Sequence, residues 1–289
     1  MNEGRIAELS RRGVVAVGGA DAHKFLDDLV TSKIGRAVDA GVAYGGLLSP
    51  QGKIQVDFIV FAEDGRFLFD LPRIAVADFI KRLSFYRLRA KVQIADLSAE
   101  RSVLAAWGGG RPAVDGVVAA DPRLGELGFR VIVPKGAIMA PDHAIAGEAD
   151  YDAHRIRLGV PEGGVDFAFG DAFPHEADMD QLAGVDFDKG CYVGQEVVSR
   201  MEHRGTARRR IIRAEGTALP EPGTEIRAGE KPIGTLASST GGCGLAMVRL
   251  DRVKAAMDAG QPLRAGETPI ALALPAWARF GWPSEVPAG

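Results

Sequence analysis

The sequence predicts an α+β fold that ends in a small all-β unit. Three observations carry that prediction. Ile54, Val56, Phe58 and Val60 alternate with Gln55, Asp57, Ile59 and Phe61 at the period of a strand, and Asp64-Gly65 supplies a hairpin turn. Val76, Phe79, Ile80 and Leu83 then recur at helical spacing, with Pro72 expected at the first helical position. Beyond Arg213, short apolar pieces alternate with Leu219-Pro220, Pro222-Gly223, Lys231-Pro232 and Gly241-Gly242, the punctuation of a small β unit.

Taken in order, Val14 to Val17 reads as a strand, broken by Gly18-Gly19. A helix follows with Asp21 as N-cap and Phe25, Leu26, Leu29 and Val30 on one face. Tyr44 to Leu71 forms the antiparallel hairpin, and short strands are expected at Lys91 to Ile94, Ser102 to Ala106 and Phe129 to Val133. Strands, helix and further strands make an α+β layer. A helix over Asp150 to Leu158 is stopped by Gly159 and Pro161. A domain boundary is expected near residue 206, and the tail from Trp282 to Gly289 is expected to be mobile.

The 289 residues are 46% hydrophobic and 25% charged, the proportions of a globular protein with a sizeable core. Thirty-five basic and 38 acidic residues leave a net charge of -3, so no global positive field marks nucleic acid as a partner. Two cysteines, Cys191 and Cys243, exclude a disulfide framework, a four-cysteine zinc site and a self-sufficient iron-sulfur cluster. No apolar run reaches the ~18 residues of a membrane span, and the N-terminus lacks the apolar core of a secretory signal. The expectation is a reducing, cytoplasmic setting with no membrane partner.

The net charge averages two opposed blocks. Pro161 to Asp188 holds Glu162, Asp166, Asp171, Glu176, Asp178, Asp180, Asp186 and Asp188 without a single Lys or Arg. Lys189 to Arg213 then holds Lys189, Arg200, Arg204, Arg208, Arg209, Arg210 and Arg213 against Glu196 and Glu202. Three readings of the basic block stand: a solvated face, a site for a ligand with several carboxylates or phosphates, or counter-ions for the acidic block.

At the junction lies Lys189-Gly190-Cys191-Tyr192-Val193-Gly194-Gln195-Glu196. Two glycines bracketing a thiol, a ring and a Gln-Glu pair suit a loop that approaches a ligand. Cations clustered near Cys191 would stabilise its thiolate and make it nucleophilic or redox-active; the alternative is a small buried hydrophobe. Cys243, within Gly241-Gly242-Cys243-Gly244 and without charged neighbours, reads as packing. His23, His143, His154, His175 and His203 show no metal-ligand spacing, and no P-loop or dinucleotide fingerprint is present.

KGCYVGQE followed by RMEHRG resembles the signature of the folate-binding YgfZ proteins, relatives of the glycine-cleavage aminomethyltransferase (T-protein) involved in assembly or repair of iron-sulfur enzymes. DAHKFLDDLVTSKI, YGGLLSPQGKIQVDFIVF, FIKRLSFYRLRAKVQI, RIRLGVPEGG and FPHEADMDQLAGVDFDKGCY have counterparts in the same order, so the resemblance covers most of residues 13 to 250. It implies a three-domain cloverleaf of the T-protein type around a folate pocket. Residues 1–45 and 136–205 would form a discontinuous first domain, 46–135 a ferredoxin-like α+β domain, and 206–289 a C-terminal β-barrel.

The resemblance also implies roles. Cys191 would be the key thiol. Lys189, Gly190, Tyr192, Gly194, Gln195 and Glu196 would complete its motif as folate-binding residues, and Arg204 would hold folyl carboxylates. Asp57 matches a strand aspartate that works near the folate in aminomethyltransferases. Tyr151 falls where some relatives line the pocket with tryptophan; it would stack on a pterin or else face the core. The function implied is a tetrahydrofolate-binding accessory factor for iron-sulfur cluster assembly, insertion or repair. Its partners would be iron-sulfur client enzymes or assembly proteins, with no resident metal, and Cys191 would act as a redox thiol, a ligand of a transient iron-sulfur cluster or an acceptor of a one-carbon unit. The alternative is a folate-dependent aminomethyltransferase. Against that alternative, Arg157 in Arg155-Ile156-Arg157-Leu158-Gly159 replaces a glutamate of the enzymes and cannot accept a hydrogen bond. Gly13 stands where some relatives have another pocket tryptophan.

Overall fold

The computed structural model describes residues 4–137, 140–204 and 207–283. The chain divides into two compact units, Met1–Tyr151 with Leu182–Ser199, and Asp152–Gln181 with Arg200–Gly289.

The first unit holds strands β1 (Gly4–Glu8), β2 (Arg12–Gly18), β3 (Val42–Leu48), β4 (Ile54–Glu63), β5 (Arg66–Pro72), β6 (Gln93–Asp96), β7 (Arg101–Trp107), β8 (Val117–Ala120), β9 (Phe129–Pro134) and β10 (His143–Ile145). Its helices are α1 (Ala22–Asp27), α2 (Gly35–Ala40) and α3 (Val76–Arg87), and α4 (Glu148–Leu158) starts in it. Two sheets result, ordered β3-β4-β5-β2-β6 and β10-β1-β7-β9-β8. All pairings are antiparallel except β1 with β10.

The β4–β5 hairpin forms where Asp64-Gly65 placed it. Both residues adopt positive φ, 46° and 76°, the conformation that a two-residue turn needs to match strand twist. The period-two pattern of β4 does not mark a wet face, however, because Asp57, Ile59 and Phe61 are as buried as Val56 and Phe58. Phe58, Phe69 and Phe79 pack ring against ring at 4.9 to 5.8 Å, which seats α3 on this sheet.

Several local expectations are corrected. Pro72 closes β5 opposite Arg12 instead of opening the helix; α3 begins at Val76 after the 3-10 turn Arg73–Ala75. Lacking an N–H, Pro72 loses nothing at a strand terminus. Asp21 stands at the N-cap of α1 but accepts from the Lys91 backbone N–H at 2.7 Å, a tertiary bond that replaces the cap. α1 stops at Asp27, so Leu29 and Val30 are buried beyond the helix, with Val30 bridged to Leu47. The sixth strand spans Gln93–Asp96, two residues later than expected, while β1, β8 and β10 carried no local signal because each is short and depends on distant partners. β3 spans the expected boundary at 45/46, and it pairs with β4 over its whole length.

The second unit holds β11 (Arg209–Glu215), β12 (Glu225–Ala228), β13 (Lys231–Thr240), β14 (Cys243–Arg249), β15 (Leu263–Ala265), β16 (Thr268–Pro269), β17 (Ala271–Ala273) and helix α6 (Leu250–Asp258). Its seven strands form one antiparallel sheet, ordered β16-β15-β12-β13-β14-β11-β17. Ile212, Ile226, Ile233, Leu236, Val248 and Val253 lie in its core. Helix α5 (Gln195–Arg204) leads into this unit from the Cys191 loop. The tail expectation falls largely on 284–289, outside the described residues.

Candidate functional site

The Cys191 loop is fastened to the segment after α1 by groups that the sequence alone did not connect. Thr31 Oγ1 donates to the Gly184 carbonyl at 2.6 Å and accepts from the Gly46 N–H at 2.8 Å. The Asp186 N–H donates to the Thr31 carbonyl at 3.0 Å, and its carboxylate pairs with Arg36 at 2.9 Å.

Lys189 is the central fastening. Its ammonium donates to three backbone carbonyls, those of Asp27, Val30 and Ser32, at 2.7, 2.8 and 2.9 Å. Carbonyls at and beyond a helix end lack intrahelical partners, so a cation suits them both as donor and as charge. Burial lowers the Lys189 pKa against the opposing pull of Asp27. The same ammonium lies 5.4 Å from the centre of the buried Tyr192 ring. Burial, with Asp186 second, pushes the Tyr192 phenol well above its ordinary value, so it stays protonated. All three protons of Lys189 are thus engaged by backbone carbonyls, so it anchors the loop and has no further N–H to offer a folate group.

Gly194 completes the hold. Its φ is +83°, and a Cβ there would lie 2.5 Å from the Ser49 carbonyl and 3.1 Å from Gly52 Cα. Only glycine permits that approach to the β3–β4 turn. Gly190 differs, since a Cβ there meets nothing within 4 Å. Between these anchors Cys191 is exposed, as are Gly190 and Glu196, while Gln195 is half-buried at the start of α5. The buried-hydrophobe reading of Cys191 is therefore set aside. The side chain of Arg204 lies outside the described residues.

Asp57 and Tyr151 belong to a different place, a buried ionic cluster in the first unit. Tyr44 Oη donates to Asp57 at 3.1 Å, and Arg123 lies over the Tyr44 ring. Arg123 forks onto Asp121 at 3.0 and 2.7 Å, and Arg12 Nε donates to Asp70 at 2.6 Å. Arg130 stands between the two aspartates, 3.5 Å from Asp121 and 3.6 Å from Asp70. Burial opposes ionisation of Asp121, but Arg123 and Arg130 outweigh it and hold the carboxyl below its usual range.

Tyr151 Oη accepts from Arg123 at 3.2 Å and Arg130 at 3.1 Å. Its ring lies under Arg130 and beside Trp107 with 3% exposure, so the core-facing alternative holds and no ring face is open for stacking. A cavity of about 250 Å³ beside Tyr44, also lined by Arg36, Asp39, Pro122 and Ala183, falls short of the roughly 300–1,000 Å³ of small-molecule sites. Sequence reading missed Arg12, Asp70, Asp121, Arg123 and Arg130. The available signal was a single charge inside an apolar strand, as in Phe69-Asp70-Leu71 and Phe129-Arg130-Val131.

The two charge blocks meet through Arg209 and Arg210, and the acidic block also neutralises Arg155, which precedes it. Arg155, buried in the second unit, pairs with Asp166 at 2.6 Å, Asp152 at 2.9 Å and Glu162 at 3.3 Å. Arg210 forks onto Asp180 at 2.6 and 2.9 Å and reaches Asp178 at 3.2 Å, while Arg209 faces Glu176 at 3.6 Å. Arg157 is exposed. His175, Asp180 and Glu202 place possible ligand atoms within 4.8 Å of one another, but Arg210 already neutralises Asp180 and His175 Nε2 meets Glu202 at 2.9 Å. All three side chains are therefore already engaged, by one another or by Arg210.

Comparison with known proteins agrees with this architecture. The family model of the CAF17 C-terminal β-barrel domain matches residues 208–280. The glycine-cleavage aminomethyltransferase T of Bartonella henselae superposes with a TM-score of 0.73 over 96% of this chain and 86% of that one, at 16% identity, which shows the T-protein fold. The mitochondrial iron-sulfur cluster assembly factor IBA57 homolog of Mycosarcoma maydis is 33% identical over 72% of this chain, and the chain spans 56% of its length. The homolog of the same name from Pyricularia oryzae is 31% identical, with 90% of this chain and 75% of that protein covered.

These relatives are named as mitochondrial, which overturns the cytoplasmic expectation. A low cysteine count separates reducing from oxidising surroundings and does not choose among reducing compartments. With a T-protein fold, a CAF17-type barrel and relatives of this coverage, the chain belongs to the IBA57 family of iron-sulfur cluster assembly factors.

Proposed function

We propose that this chain is an accessory factor in iron-sulfur cluster assembly, insertion or repair, and that Cys191 is its working thiol. One observation carries the reading: Cys191 is exposed on a loop in which Lys189 and Tyr192 are buried and Gly194 is wedged, so a reactive atom is displayed from an anchored backbone. A thiolate there would ligate an iron of a cluster passing through as cargo. A cluster usually takes four thiolates, so the remaining ligands would come from a partner assembly or client protein. The names of the relatives support the cluster assignment.

Tetrahydrofolate is the proposed small-molecule ligand, in keeping with the resemblance to the YgfZ proteins. Asp57 and Tyr151 do not fit it as direct contacts here, since both are buried and already bonded within the Arg–Asp cluster. No step of the reading runs through folate. Calorimetric titration of the full chain with tetrahydrofolate tests it, and absence of both heat and thermal stabilisation removes the folate part. Nothing specific favours aminomethyl transfer, and Arg157, in place of a glutamate of the enzymes, offers no acceptor.

The cluster reading is tested in cells that lack the native gene. Wild type and Cys243→Ala should restore iron-sulfur enzyme activities, whereas Cys191→Ala, present at equal level and folded, should not. Full rescue by Cys191→Ala would overturn the assignment.

A further inference from the structure

Three of the most exposed large apolar side chains among the described residues lie on α3 and the turns at its two ends. Ile74, Phe85 and Leu88 are 88%, 76% and 89% exposed. Phe85 and Lys81 share the face of α3 opposite the buried Val76, Phe79 and Leu83, and Ile74 and Leu88 stand exposed in the turns before and after it. Nothing in the Cys191 loop or the Arg–Asp cluster uses this face.

Leu88 is also held in an unfavourable conformation. The Ala90 N–H closes a turn onto the Arg87 carbonyl at 2.8 Å, with Leu88 at its first central position at φ 43° and ψ -106°. Glycine suits that position, and a bulky residue is strained there. Exposed as it is, Leu88 regains nothing by burial.

The charge carried by this stretch is one-sided, although the Asp21 carboxylate meets it at the Lys91 backbone N–H. From Phe79 to Ala95 the chain carries Lys81, Arg82, Arg87, Arg89 and Lys91 and no carboxylate. Arg82 pairs with Asp78 at 2.5 Å, and the other four make no ion pair among the described residues. Beside Leu88 lies a cavity of about 460 Å³ rimmed by Gly19, Arg87, Arg89 and Lys91.

We propose that this face of α3 and the 87–90 turn is a docking surface for an acidic segment of a partner protein, one that presents apolar side chains beside Asp or Glu. Exposed apolar anchors inside a ring of unpaired cations are complementary to that chemistry. The concavity between the cations accommodates a projecting carboxylate side chain, which a flat bilayer does not offer. A chain with a net charge of -3 also has no overall attraction to an anionic membrane. The inference is independent of the chemistry at Cys191.

The test uses the full chain and defined probes: a fluorescent amphipathic Glu/Leu peptide, its Lys/Leu counterpart, and vesicles of phosphatidylcholine and phosphatidylglycerol in equal parts. The Glu/Leu peptide should bind about tenfold or more tighter than the Lys/Leu peptide, and less tightly as salt rises. Phe85→Ser and the double variant Arg87→Glu/Arg89→Glu should each weaken it about tenfold. Leu88→Gly should weaken binding while holding or raising Tm, which separates docking from folding. Cys191→Ala should bind like wild type. Equal binding of the two peptides, no binding, indifference to these variants, or binding to vesicles alone would overturn the proposal.

Discussion

Cys191 and Cys243 are the same residue in opposite circumstances. Cys243 opens β14 and is half-buried, paired in register with Glu215 and Thr240 by a backbone ladder that would exist with any side chain. Cys191 has no ladder. Its loop is held by the Lys189 ammonium, the Thr31 hydroxyl and the wedged Gly194, each a side chain or a missing side chain of one particular kind. Regular structure fixes a residue cheaply and leaves it little freedom to act. A loop fixed by its neighbours leaves the one intervening side chain available, which is what the proposed role of Cys191 requires.

The strongest way to break this contrast is at the anchors. Gly194→Val forces a branched side chain into a positive φ and against the Ser49 carbonyl, and should cost about 3 kcal/mol or more in chemical denaturation. Lys189→Met keeps the aliphatic stem but leaves three carbonyls without their donor. About 2–4 kcal/mol should be lost, and the rate at which a maleimide labels Cys191 should change with it. An unchanged labelling rate would show that Lys189 does not hold the loop.

Asp178 offers a smaller effect with a defined sign. It is fully buried, and its Oδ2 has no hydrogen-bond partner among the described residues. Burial pushes its pKa well above the usual carboxylate range, with Arg210 opposing but already forked onto Asp180. The folded state therefore keeps the proton longer than the unfolded one, and the stabilisation this brings at low pH is lost as pH rises from about 4 through the folded-state pKa. Asp178→Asn removes that dependence and tolerates the φ of 57°. Its Tm relative to wild type should rise between acidic and neutral pH; a relative fall would refute the assignment.

The smallest structural effects are expected at the thiols' own surroundings. Gly190→Ala and Cys191→Ala should each change stability by no more than about 0.5 kcal/mol, because one Cβ enters open space and the other side chain is exposed. Loss of cellular activity in either would then report on what approaches the loop. In the folded wild type, maleimide should modify Cys191 at least about tenfold faster than Cys243.

Much of the local architecture was legible for stated reasons. Asp64-Gly65 marked a hairpin because the turn demands two positive φ values, and Gly159 ended α4 at a φ of 80°. The acidic and basic blocks were legible as potential counter-ions, and Arg209 and Arg210 are neutralised in that way, whereas Arg155, outside the basic block, carried no such signal. By contrast, Lys189 looked like part of a charged site and is an anchor, since its three acceptors lie 157 to 162 residues away in sequence. Tyr151 looked like a stacking platform for the same kind of reason: Arg123 and Arg130, which occupy it, are distant in sequence.

Element type, turn position and the singular character of Cys191 followed from local pattern, because periodicity, φ preference and residue chemistry act within a few neighbours. Which charges are available to a ligand and which are consumed internally was decided only by the tertiary structure. A buried ion's duty depends on what desolvates it and what pairs with it, and both are supplied by segments that meet only when the chain has folded.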